Sequence, residues 1–127
     1  MVQAMKLKNI LIVVNDIQES ICFYKEIFGL DIITKQEGNV ILTEGLVLQD
    51  AKVWADVIEK STTPYNNMTE LYFEDNDVEG LVDKLISRNI LVECKTELTE
   101  LASGQKMVRF YDPSGNLIEV RTPVKYS

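Results

Sequence analysis

Apolar residues recur along the chain with two periods, and the order in which those periods follow one another occurs twice. Residues 5–14 are dense in Leu, Ile and Val and predict a strand. Asn15-Asp16 reads as a turn and helix cap, and residues 20–28 continue as a helix. Ile17, Ile21, Tyr24 and Phe28 recur at spacings of three and four, which predicts the buried stripe of that helix. Gly29 stops it, as a residue suited to a left-handed position beyond the last turn. Residues 30–35 predict a second strand, Gly38 divides it from 39–43, and Gly45 introduces 46–50.

The second half repeats this order. Residues 69–74 predict a strand, ended by Asp75-Asn76-Asp77. Val78, Leu81, Val82, Leu85 and Ile86 give one stripe of a helix that Asn89 closes. Strands are expected over 90–96, 105–111 and 117–122, the last two joined by the turn signal Asp112-Pro113-Ser114-Gly115-Asn116. Between the halves, 51–68 carries Trp54, Val57 and Ile58 in a pattern that fits a short helix. Ser61-Thr62-Thr63-Pro64 then breaks it. Each half alone leaves a sheet face uncovered, so two paired βαβββ modules in an α+β fold are the economical arrangement.

Composition narrows the functional classes. At 127 residues with 46% hydrophobic content, the chain is expected to form one domain, 1–127, with internal modules at about 5–50 and 69–123. Its formal charge of −7 argues against a nucleic-acid partner, because phosphate binding depends on clustered Lys and Arg. No apolar run approaches the roughly 20 residues needed to span a bilayer, so no membrane association is expected. Cys22 and Cys94 are too far apart for a CxxC pair. Both read as packing residues with reduced thiols in a cytoplasmic protein.

The motifs at the two ends of this pattern resemble a known family. Asp16-Ile17-Gln18-Glu19-Ser20-Ile21-Cys22-Phe23-Tyr24, followed by Phe28-Gly29-Leu30, is similar to the first strand-to-helix segment of the glyoxalase, bleomycin-resistance and extradiol-dioxygenase superfamily, the vicinal oxygen chelate fold. Phe110-Tyr111-Asp112-Pro113-Ser114-Gly115-Asn116-Leu117-Ile118-Glu119-Val120 resembles its closing hairpin. The resemblance implies curved mixed sheets around a concave pocket, with ligand groups on the strands. It also implies a homodimer. Whether modules pair within one chain or between chains stays open.

The chain contains no histidine. Metal-binding members of the family commonly place histidine where this sequence has Asn9 and Glu70, and a carboxylate where it has Gln49 and Glu119. The resulting set of two amides and two carboxylates suits zinc, nickel or iron poorly. No cofactor is therefore expected; a divalent metal, if bound, would rest on Glu70 and Glu119. These two carboxylates are also the candidate acid and base of a metal-free enzyme. Each has an ordinary alternative, Glu119 on a wet face beside Arg121 and Glu70 on a solvated face with Tyr72 and Glu74.

Trp54, Tyr65, Tyr72, Arg109 and Tyr111 are further pocket candidates, along with Asn9 and Gln49, although the aromatic residues also fit a core or a dimer contact. Arg109 needs an anionic partner if it is partly buried, and Glu119 across the closing hairpin can supply one, which would make the pair structural. The functional expectation is a small-molecule-binding protein without a histidine metal centre. The alternative is a lyase, isomerase or dioxygenase-like enzyme using an oxygen-ligated divalent metal or Glu70 and Glu119.

Overall fold

In each half of the chain a strand, a helix and further strands build a four-stranded mixed sheet with the same strand topology. The computed structural model describes residues 3–90 and 98–124. It divides into two units, Met1–Thr62 and Thr63–Ser127. The fold is α+β, with three α-helices among the described residues.

The first unit contains β1 (Ile10–Val14), α1 (Ile17–Phe28), β2 (Ile32–Gln36), β3 (Asn39–Leu42), β4 (Leu46–Asp50) and α2 (Ala51–Ile58). Its strand order is β1-β4-β3-β2, with β1 parallel to β4 and the other pairs antiparallel. Asp16 caps α1 by accepting the Glu19 N–H at 3.1 Å. Gly29 closes the helix at φ 71°, and its N–H and that of Leu30 donate to Lys25 and Tyr24 carbonyls. Ile12, Val14, Val40, Leu42 and Leu48 are buried along one sheet parity.

Three expectations for this unit need correction. The first strand begins at Ile10, and Met5 and Leu7 are exposed. Its ladder runs only along β4, from Ile10 opposite Leu46 to Val14 opposite Asp50, and Gly45 turns the chain away before that point. The buried face of α1 is Ser20, Phe23, Tyr24 and Ile27, while Ile17, Ile21 and Phe28 flank it half-buried. Phe23, Tyr24 and Phe28 form a contacting ring cluster, with centroids 5.0 to 5.8 Å apart. Cys22 is consequently exposed and not a core residue, because it lies outside that packed face.

The second unit contains β5 (Leu71–Glu74), α3 (Val78–Ser87), β6 (Thr99–Glu100), β7 (Lys106–Tyr111) and β8 (Leu117–Arg121). The order β5-β8-β7-β6, with β5 parallel to β8, reproduces the first sheet. Asp77 caps α3 through the Gly80 N–H at 2.9 Å. Of the five expected stripe residues the helix buries Val78, Leu81 and Leu85, leaves Val82 half-buried and turns Ile86 outward. The expected strand over 90–96 lies almost wholly outside the described residues, as does Cys94.

Candidate functional site

Alternation divides the side chains of the second sheet into two sets. Val108, Phe110, Ile118 and Val120 are all at most 1% exposed and form the apolar layer on the parity served by α3, which packs against β7. The opposite parity carries Tyr72 and Glu74 on β5, Arg109 and Tyr111 on β7, and Glu119 and Arg121 on β8. The register sets Glu119 directly between Tyr72 and Arg109. A carboxylate occupies the centre of this face.

Glu119 is only 2% exposed, so its charge requires partners. Arg109 Nη2 donates to Oε1, and Arg121 Nε donates to Oε2 at 2.6 Å. Arg109 Nε also donates to Glu70 Oε2 at 2.9 Å. The four residues form the chain Glu70–Arg109–Glu119–Arg121. The hydrogen bond to Glu70 raises Arg109 above the ordinary guanidinium range; burial opposes it, and the charge of Glu119 adds to it. That stabilisation is present below the ordinary range and is lost only as pH rises through the raised value, far from neutrality.

Aromatic groups flank this network. The Arg121 guanidinium carbon lies 5.9 Å from the centroid of Tyr72, whose side of the sheet is open enough to leave the residue 51% exposed. At the other end, Tyr111 donates its hydroxyl to Asn67 Oδ1 at 2.5 Å and meets the Tyr65 ring edge-on at 4.8 Å. The 112–116 turn makes that contact possible. Asp112 accepts the backbone N–H groups of Ser114 and Asn116, both at 2.9 Å. Gly115, at φ 87°, presents its carbonyl to the Tyr65 N–H at 3.1 Å.

The sequence candidates fall into different places. Glu70, Tyr72, Arg109, Tyr111 and Glu119 come together on the second unit. Glu70 stands just before β5 rather than within a longer strand, because β5 starts pairing at Leu71 opposite Ile118. Asn9, Gln49 and Trp54 belong to the first unit. Asn9 is exposed ahead of β1 beside Gly45, and Trp54 is half-buried on α2. Gln49 is 6% exposed on β4 and accepts from Asn39 Nδ2 at 2.8 Å. The first sheet thus has an amide pair at the cross-strand position where the second has Arg109 and Glu119.

Arg121, Asn67 and Asn39 were missing from the sequence candidates. The same-face relation of Arg121 to Glu119 followed from alternation; the contacts of Asn67 and Asn39 did not. A groove of about 520 Å³ lies elsewhere in the second unit, between Asn76, the 103–106 segment and Thr122–Val124. None of the candidates lines it.

A divalent ion does not fit these carboxylates. Both oxygens of Glu119 and one of Glu70 already accept from guanidinium groups, and a cation there would sit against two fixed positive charges. Among the described residues, no group of three or more His, Cys, Asp or Glu is placed to hold a metal.

The glyoxalase-like domain family matches residues 7–125. The chain belongs to that family. Its fold recurs in solved structures. A protein of unknown function from Agrobacterium tumefaciens is 29% identical, with a TM-score of 0.78 over 96% of this chain and 97% of that one. A lactoylglutathione lyase from the same organism is 21% identical, with a TM-score of 0.60 and 94% of each chain covered. A bleomycin-binding protein in complex with bleomycin is 16% identical, with a TM-score of 0.66 over 94% of this chain and 99% of that one. No curated protein matches the chain. No helix among the described residues is long and apolar enough to cross a membrane.

Proposed function

We propose that this glyoxalase-like chain binds a small molecule with a planar aromatic part on the exposed face of the second sheet, without a metal or other cofactor. One observation carries the reading: an exposed Tyr72 ring stands beside an Arg121 side chain that a buried carboxylate holds in place. A guanidinium held at Nε and lying over an exposed tyrosine ring offers stacking area at reduced ordering cost. The bleomycin-binding relative supports ligand binding on this fold. The lyase relative supports catalysis, but the engagement of both Glu119 oxygens weighs against that residue as an acid or base here.

The chain works as one domain in the cytoplasm, where exposed Cys22 stays reduced, and needs neither nucleic acid nor membrane. It forms a homodimer, which would cover part of the exposed apolar surface of the first unit, including Met5, Leu7 and Ile33.

The test is a saturation-transfer NMR screen of planar aromatic compounds, repeated with Tyr72→Ala and after EDTA treatment. The expected result is a set of binders weakened about three- to tenfold by Tyr72→Ala, the range of an aromatic contact. EDTA should leave their affinities unchanged. Absence of any binder, or binding indifferent to Tyr72→Ala, would overturn the assignment. Loss of binding on EDTA treatment with restoration by one divalent ion would return the metal-dependent alternative.

A further inference from the structure

We infer that the ligand carries a carboxylate, held by the outer nitrogens of Arg121, with its aromatic ring beside Tyr72. This rests on the binding reading above and adds the class of ligand. Among the described residues, the bond of the Arg121 side chain is the one from Nε to Glu119 Oε2, and its side chain is 30% exposed. Two Nη groups therefore remain to donate. Glu119 holds the guanidinium at Nε, and its carbon lies over the Tyr72 ring, 5.9 Å from the centroid. A carboxylate matches the paired N–H geometry of such a fork.

Arg109 is not the equivalent anchor, since Glu70 and Glu119 already hold it at Nε and Nη2. The charge of the face selects between oxyanions. Arg109 and Arg121 are offset by Glu70, Glu119 and Glu74, the last lying opposite Arg121 in the ladder. Two cations against three carboxylates favour a singly charged anion over a doubly charged phosphate.

The probes are 2-naphthoate, 2-naphthamide and 2-naphthyl phosphate, measured by isothermal titration calorimetry. Naphthoate should bind about ten- to hundredfold more tightly than the amide, the range of a charge-assisted pair. Arg121→Gln should abolish that preference, and Arg121→Lys should restore only part of it. If Arg121→Gln folds by circular dichroism and still prefers the acid to the amide, the inference is overturned. Equal binding of acid and amide by the wild type would overturn the inference and leave aromatic binding standing. Preference for the phosphate would overturn the charge argument. If no naphthyl probe binds, the inference falls, and the aromatic screen shows whether the binding reading falls with it.

Discussion

Arg109 and Arg121 reach Glu119 from different strands, so either one still leaves that carboxylate a partner when the other is removed. Removing both leaves a buried carboxylate with neither. Arg109→Ala and Arg121→Ala should each cost about 1 kcal/mol, since both side chains are substantially exposed. The double variant should cost about 3–5 kcal/mol, more than the sum of the singles. Urea denaturation of the four proteins measures this coupling, and simple additivity would show that the two arginines do not share Glu119. The Arg109–Glu119 contact was legible because a short turn joins their strands and alternation puts both on one face. The Glu70–Arg109 bond was not, because sequence pattern does not set the geometry of groups 39 positions apart.

The helices start where their aspartates accept backbone N–H groups, and α3 adds a conflict within its own first turn. A Cβ on Gly80 would lie 2.3 Å from Asp77 Oδ2, the side chain whose other oxygen caps the helix. Replacing a helical glycine with alanine normally stabilises by about 1 kcal/mol, whereas losing a cap costs about the same. Gly80→Ala should therefore give little or no gain in the wild type, and the usual gain in an Asp77→Ala background. Thermal unfolding of the four proteins tests it; equal gains in both backgrounds would mean that the cap moves aside freely. At the 112–116 turn, Gly115→Ala combines positive φ with a Cβ 3.0 Å from Pro64 and Tyr65. It should destabilise by about 1–3 kcal/mol in the same assay. Periodicity located α1 and α3 but placed the buried face of α1 differently, because partners decide which of several apolar residues turns inward.

Across the whole molecule, the two units share one strand topology while their equivalent cross-strand positions hold different chemistry, Asn39–Gln49 in one and Arg109–Glu119 in the other. The proposed homodimer predicts twice the chain mass in sedimentation equilibrium at micromolar concentration; a single-chain mass would remove that part of the reading. The sequence by itself determined the repeated order of strand and helix, the cap and stop of the first helix at Asp16 and Gly29, the closing turn and the family, since these rest on local spacing and backbone preference. It also settled that no imidazole is present for a metal or a proton relay. Only the tertiary structure decided that Glu119 is buried between two guanidinium groups, that Glu70 joins them, and that Tyr72 stays exposed beside Arg121. Those outcomes depend on register and on which charges meet after folding, and local pattern carries no distance between residues far apart in the chain.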